Sequence, residues 1–287
     1  MPELPEVEVA ARNLRRWTAH RRIRAVKADA AARRIFRPGS ARALQALVGA
    51  RFGEVRRTGK NLLVALEGPK GPIGVWSHLG MTGKWSRREG SEAAPRFSRL
   101  EIELDDRSRL HYVDMRLFGR FRLVPGARFD DIAELRALGP DPLTDGLDAA
   151  VLEARLERSK LPIKVAMLDQ RLFAGVGNIQ ASEALFRARI DPRRPARSLS
   201  RAALAALVRA VLASVRFTLK SFATAGPDGS GADRDIAYVE EGAANPFLVY
   251  DRAGAPCPNG RRKRGHPTIQ RVVQAGRATY FCPACQR

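Results

Sequence analysis

The chain opens Met1-Pro2-Glu3-Leu4-Pro5-Glu6. Methionine aminopeptidases remove an initiating Met readily when the next side chain is small, as Pro2 is. What remains is a ring secondary amine at the chain start, an uncommon nucleophile. Such an amine attacks an aldehyde-level carbon to form an iminium, which activates the neighbouring bonds. An α-amino group has a reference pKa of about 7.7–8.0, so a useful fraction is unprotonated near neutral pH. Glu3 and Glu6 put carboxylates next to it for proton transfer. The same residues also suit a plain Pro-containing lead into an amphipathic helix.

Those groups need elements to hold them. Val7, Ala11, Leu14 and Trp17 recur at helical spacing, which predicts a helix over residues 5–18. Short β-like runs follow at Ile23 to Val26, Arg51 to Thr58, Leu62 to Leu66, Ile73 to Ser77, Leu100 to Leu104 and Leu110 to Val113, separated by Gly, Pro and charged turns. Leu44 to Val48 reads as a short helix between strands. From Asp130 to Leu138 the pattern turns helical until Gly139-Pro140-Asp141-Pro142 breaks it. Ala149 to Glu157, Ile163 to Leu168, Gln180 to Ala188 and Arg201 to Leu219 read as helices, the last with Ser200 as its N-cap. Residues 223–235 read as a mobile loop, and the end of the chain alternates like a hairpin. The expected fold class is therefore α+β: an N-terminal β-sandwich with a leading helix, then a helical domain with a C-terminal β-hairpin. The segments expected are 1–128, 129–222, a loop region 223–248, and the hairpin 249–287.

Charge is the compositional outlier. Lys and Arg number 51 against 30 Asp and Glu, a formal net charge of +21 over 287 residues. The excess runs along the whole chain, which predicts a basic folded surface and a polyanionic partner, most simply nucleic acid. Free use of Arg by a GC-rich genome accounts for only part of it. Only three cysteines occur, all after residue 256, which argues against a disulfide framework. Residues 1–20 are charged and lack a long apolar core, and no stretch approaches eighteen uninterrupted apolar residues. A soluble, cytoplasmic protein is expected.

Several ordered motifs resemble the formamidopyrimidine-DNA glycosylase/endonuclease VIII family over almost the whole length. They are Pro2-Glu3-Leu4-Pro5-Glu6-Val7-Glu8, Gly59-Lys60-Asn61-Leu62-Leu63, His78-Leu79-Gly80-Met81-Thr82-Gly83, Asp114-Met115-Arg116-Leu117-Phe118-Gly119, and Leu168-Asp169-Gln170 with Ala174-Gly175-Val176-Gly177-Asn178-Ile179 and Ala181-Ser182-Glu183. The resemblance implies that Pro2 is the nucleophile and Glu3 a general acid/base, with Glu6 helping to organise the site. It implies that Lys60 contacts phosphate near a lesion, and that Met81, Arg116 and Phe118 fill the hole left by a flipped-out base. Gly175 to Asn178 corresponds to a helix–two-turn–helix DNA clamp, in which Asn178 offers an amide donor beside a helix N-terminus. Glu183 reads as structural rather than catalytic. Arg277, before Ala278-Thr279-Tyr280-Phe281, corresponds to a finger-tip arginine that reaches phosphate.

The family's finger uses two Cys-x-x-Cys pairs. Cys282-Pro283-Ala284-Cys285 supplies one, but Gly260 stands where the partner of Cys257 is expected, and Arg261 to His266 looks like an insertion. Cys257, His266, Cys282 and Cys285 are the expected ligands of one structural zinc, in a zinc-ribbon-like hairpin. The alternative is a metal-free hairpin with an exposed His. The activity implied is bifunctional: excision of oxidised purines such as 8-oxoguanine and formamidopyrimidines, then β,δ-elimination at the abasic site. Damaged double-stranded DNA in a basic cleft is the expected partner of a monomeric enzyme. Residues 222–248 depart from the family's lesion-capping loop with a Gly/Asp-rich, acidic segment. An endonuclease VIII-like preference for oxidised pyrimidines or another bulky lesion is therefore a second reading. A non-catalytic damaged-DNA-binding protein is a third.

Overall fold

The computed structural model describes residues 2–36, 41–224, 244–260 and 264–287. The capping-loop segment therefore falls largely outside the described residues. The described chain forms two compact units, one built from the N-terminal part to Arg136, the other from residues 137–221 and 244–287.

In the first unit, α1 (Leu4–Thr18) is amphipathic and buries Val7, Ala11, Leu14 and Trp17. Behind it lie two four-stranded antiparallel sheets. One has the order β1 (Ile23–Ala28), β6 (Ser98–Leu104), β7 (Arg109–Val113), β5 (Lys84–Arg88). The other has the order β2 (Arg51–Thr58), β3 (Asn61–Gly68), β4 (Gly71–His78), β8 (Arg120–Pro125). Apolar side chains from both sheets and α1 form one core, including Val26, Leu62, Val75, Leu100, Leu110 and Phe121. Trp85, Tyr112 and Phe121 meet edge-on within it, Trp85 and Tyr112 with centroids 5.4 Å apart. Burial of these rings supplies much of the driving force for closing the sandwich.

Two strands escape the sequence pattern. Lys-Trp-Ser-Arg-Arg in β5 and Arg-Phe-Arg-Leu-Val-Pro in β8 read as charged, yet they turn Trp85, Phe121 and Val124 inward. The short helix expected at Leu44 to Val48 is a 3₁₀ segment, Ala41–Leu47. The helix expected over Asp130 to Leu138 shrinks to a 3₁₀ turn at Phe129–Asp131 and a single turn, α2 (Ala133–Arg136). Packing decides this. Phe129 and Ile132 join Leu63, Trp76 and Val124 in a small satellite core. A Cβ at Gly74 would lie 2.7 Å from the Phe129 ring, so that ring occupies the space a side chain would take.

In the second unit, α3 (Ala149–Leu156) starts at Asp148, whose side chain accepts from the N–H groups of Ala150 and Val151. The pair α4 (Ile163–Ala166) and α5 (Asn178–Ala188) packs with α6 (Arg201–Thr224) around Met167, Phe173, Leu185, Leu207 and Val211. Ser200 Oγ accepts from Ala203 N–H at 3.3 Å, the expected N-cap of α6. By length and composition α6 could cross a membrane, with a mean hydropathy of 1.7. Here one face of it packs in the core: Leu204, Leu207, Val211 and Val215 are buried, and Ser214 and Thr218 close a buried network with Gln180. The chain ends in the hairpin β9 (Gln270–Gln274) and β10 (Arg277–Phe281).

Glu183 on α5 anchors what precedes the hairpin. Its Oε1 accepts from the N–H groups of Val249 and Tyr250 at 2.8 and 3.0 Å. Its Oε2 accepts from Leu248 N–H at 3.1 Å and pairs with Arg187 at 2.6 Å. Glu183→Ala leaves three backbone donors without their acceptor and takes from Arg187 its carboxylate partner in a buried place, so about 3–5 kcal/mol of stability should be lost. Urea unfolding of the two proteins measures this; a difference below about 0.5 kcal/mol, the scale of an ordinary surface change, contradicts the role.

Candidate active site and metal centre

The helix start brings Pro2, Glu3 and Glu6 together. Glu3 is the N-cap of α1, and its side chain accepts from the backbone N–H of Glu6. Glu6 Oε2 reaches back to the backbone N–H of Glu3 at 2.9 Å. This reciprocal capping box holds two carboxyl groups within one helical turn. Both are buried, at 1% and 5% exposure, and Pro2 beside them is buried too. Burial, and then the neighbouring Glu3 carboxylate, push the Glu6 carboxyl up to about 7. A group poised there can hold or release a proton at neutral pH.

Lys60 lies in the two-residue connection between β2 and β3, after Gly59 at φ 56°. Glycine takes that backbone conformation without a Cβ clash. The connection is braced from α1. Arg57, its side chain 1% exposed, donates from Nε to Glu8 Oε2 at 2.8 Å and from Nη1 to Gly59 O at 3.1 Å. Burial works to raise the Glu8 pKa, but hydrogen bonds from Arg57 and Arg12 hold it below the ordinary carboxylate value. The helix that presents Pro2 thus also fixes the turn that presents Lys60. Asn61 pairs with His78 across β3 and β4. Burial, and then the charges of Lys60 and Arg120, push His78 down to about 4, so it is neutral at pH 7. His78 Nδ1 accepts from Gly80 N–H at 3.0 Å, which leaves the ring proton on Nε2 as a donor. Sequence reading quoted His78 and Glu8 only as members of motifs; their roles come from pairings with residues 18 and 49 positions away.

Met81 is half-buried, on the loop after β4; Arg116 and Phe118 are exposed on the loop after β7. The two loops touch: a Cβ on Gly80, at φ 65°, would collide with the Phe118 backbone. Arg116 lies over the Phe118 ring at 5.0 Å, a cation–π contact that leaves 52% of Phe118 exposed. A large apolar side chain at a loop tip, kept out of the core, is available to enter another surface.

In the second unit, Gln170 secures the turn before α5, accepting from Gly175 N–H at 2.9 Å and donating to Val176 O at 2.8 Å. Asn178 opens α5 and donates from Nδ2 to Ala278 O at 2.8 Å. It thereby ties the helix start to β10, one residue beyond Arg277. Ala275 and Gly276, at φ 47° and 72°, turn the hairpin tip, and Arg277 stands exposed just after it. The structure brings Asn178 and the Arg277 strand together, a link that spans 100 residues.

Cys257, His266, Cys282 and Cys285 converge, their ligand atoms all within 4.8 Å of one another. Cys257 Sγ and Cys285 Sγ are 3.7 Å apart, and His266 Nε2 lies 3.3 and 3.5 Å from Cys282 and Cys285 Sγ. A tetrahedral zinc with the usual bond lengths needs edges of about 3.5–3.8 Å, so the donor set fits a structural zinc ion. A Cβ at Gly260 would land in the His266 ring. The imidazole occupies the space beside Gly260, the position where a second cysteine was expected; residues 261–263 lie outside the described residues. Gln286 supports the centre, accepting from Cys282 N–H at 2.8 Å and donating to Ile190 O at 2.9 Å.

Comparison with known proteins bears on both units. The signature of the formamidopyrimidine-DNA glycosylase N-terminal domain matches residues 1–121, and that of the formamidopyrimidine-DNA glycosylase H2TH domain residues 138–225. A zinc finger found in FPG and IleRS matches residues 267–287, a span that begins just after His266. A formamidopyrimidine-DNA glycosylase of Paracoccus denitrificans is 37% identical over 296 residues, covering 100% of both chains. Among solved structures, Lactococcus lactis Fpg (MutM) in complex with DNA containing N7-benzyl-Fapy-dG gives a TM-score of 0.83 at 26% identity, with 100% of each chain covered. MutM (Fpg) from Thermus thermophilus gives 0.78 at 36% identity, covering 99% of this chain and 98% of that one.

Two outcomes follow from the geometry. In His266→Ala, three sulfurs remain, and zinc measured on purified protein should fall well below one per chain; full occupancy would remove His266 from the ligand set. For Glu6, a folded-state pKa near 7 above an unfolded value near 4.5 means that the folded chain holds the proton longer. The favourable contribution is complete below the unfolded value and is lost as pH rises through about 7, amounting to ~3 kcal/mol at most. Urea titrations at pH 5 and pH 8 should therefore show wild type losing more stability with rising pH than Glu6→Gln; parallel pH dependence would refute the shift.

Proposed function

The chain belongs to the formamidopyrimidine-DNA glycosylase family, and from that premise we propose how it works: it removes oxidised purines from duplex DNA through a covalent Pro2 intermediate and then cuts the strand. The observation that carries this reading is the buried start of α1, where the Pro2 nitrogen, once Met1 is removed, sits beside two carboxyl groups locked by their capping box.

In the proposed reaction the Pro2 nitrogen attacks C1′ of the damaged nucleotide. The glycosidic bond breaks, and the base leaves with its electron pair and takes a proton. The sugar ring opens with Glu3 moving the proton at the ring oxygen, leaving an iminium between Pro2 and C1′. That cation acidifies C2′; loss of its proton expels the 3′ phosphate by β-elimination. A second proton loss, from C4′, expels the 5′ phosphate by δ-elimination, and water then hydrolyses the iminium to free Pro2. A Glu6 carboxyl near 7 supports storage of a proton beside these steps.

The remaining assignments follow the same reading. Lys60, with neutral His78 as a donor beside it, neutralises the phosphate next to the extruded nucleotide. Met81, Arg116 and Phe118 fill the vacated stack, Arg116 meeting the orphaned base. Asn178 and Arg277 serve the backbone on the other unit, where zinc keeps the hairpin in shape. Residues 223–248 cap the lesion. The net charge of +21 supports binding driven largely by counterion release. The enzyme acts as a monomer on chromosomal DNA, hence in the cytoplasm of a bacterium.

Borohydride reduction on an 8-oxoguanine duplex tests the chemistry. Protein verified by mass to begin at Pro2 should yield a trapped protein–DNA adduct, whereas Pro2→Gly and protein retaining Met1 should lose nearly all of it. No adduct from the matured protein would sink the mechanism, and faster processing of thymine glycol than of 8-oxoguanine would overturn the purine preference.

A further inference from the structure

Asp114 lies at the root of the loop carrying Arg116 and Phe118 and is fully buried. Its Oδ1 accepts from Thr82 Oγ1 at 2.7 Å and from the backbone N–H groups of Arg116 and Leu117 at 3.1 Å each. Its Oδ2 accepts from Gly119 N–H at 2.8 Å. Arg116 N–H also reaches Thr82 Oγ1, at 3.3 Å. The Asp114 backbone is itself held, its N–H by Phe97 O at 3.1 Å and its carbonyl by Arg99 Nε at 2.8 Å.

Three of these bonds shape Asp114's own loop. The fourth reaches a residue 32 positions earlier, and that residue directly follows Met81. A loop-shaping carboxylate has no need of it. A second feature joins the same two loops from below. The Tyr112 hydroxyl is buried among them, and a Cβ on either Gly83 or Gly119 would collide with it. Glycine at both places lets the loops close over the ring. Leu117, at φ 57°, takes a left-handed backbone that only a well-determined loop sustains.

We propose that Thr82 and Asp114 are a positioning pair that locks the Met81 loop to the Arg116–Phe118 loop, so that the three side chains enter DNA as one preformed wedge. The inference rests on the reading that those side chains fill the gap left by an extruded nucleotide. Neither Thr82 nor Asp114 touches DNA in it. Their effect falls on steps that require the wedge, namely extrusion from a duplex and recognition of the opposing base. It spares Pro2 chemistry on an abasic sugar that needs no extrusion.

The experiment compares Thr82→Val with Thr82→Ser. Valine keeps the shape and removes the hydroxyl, while serine restores it. Single-turnover excision is measured on duplexes with 8-oxoguanine opposite each of the four bases, and strand cleavage is measured on a single-stranded abasic oligonucleotide with the same protein. Thr82→Val should slow duplex excision by about tenfold or more, as misplacement of a positioning contact does, and flatten the dependence on the opposing base. Thr82→Ser should recover both, and single-strand cleavage should stay within about twofold of wild type in each variant. Wild-type excision and base dependence in Thr82→Val would overturn the proposal while leaving the Pro2 mechanism intact. Equal loss on duplex and single strand would also overturn it, because the damage would then be general. Loss of strand cleavage by wild type itself strikes the underlying mechanism instead.

Discussion

Everything at the N-terminus depends on burying two carboxyl groups within one turn of helix. Such a pair is costly, and for Glu6 desolvation and the neighbouring Glu3 charge both oppose ionisation. The capping box reduces the cost by giving each carboxyl a backbone N–H that the helix start would otherwise leave without a partner. It also fixes where the chain enters the helix, and so where Pro2 lies. Proton handling and the placing of the nucleophile are consequences of one local hydrogen-bond arrangement.

The same device recurs through a strongly basic chain. With 51 cationic side chains against 30 acidic ones, several buried or half-buried acids serve as internal brackets. Glu8 holds Arg57 and through it the Lys60 turn. Asp114 gathers the donors of a loop, and Glu183 fastens the segment before the hairpin. Each bracket joins elements that are far apart in sequence, and Asp114 and Glu183 are shielded from water, so their bonds are little screened by salt. The surplus positive charge is left to the surface, where attraction to phosphate is long-ranged.

Much of the sandwich and most of the helices were legible from periodicity. Alternating apolar residues announced β4 and β6, the continuous run Leu62 to Leu66 announced β3, and Leu110 with Tyr112 announced β7. The strands β5 and β8 hid because their outward residues are arginine and lysine and each turns only one or two large side chains inward. The segment after Phe129 hid for the opposite reason: it had helical spacing, but packing on Trp76 and the Gly74 gap left it a single turn. At the site, Pro2, Glu3 and the cysteines stood out because their chemistry is rare. Glu8, His78, Asp114 and Asn178 act through partners that only the folded chain supplies, so spacing alone could not reveal what they hold.

The seating of a histidine against a glycine at the metal centre has a steric implication. With Gly260 and no His266, only three donors surround the ion. With a side chain at 260 and the ring in place, the two compete for one volume. The two positions are thus interdependent: the ring needs the space that glycine leaves, and the ion needs the ring. A methyl group at position 260 would therefore reach the ion without touching it, by pushing aside the ring that holds it.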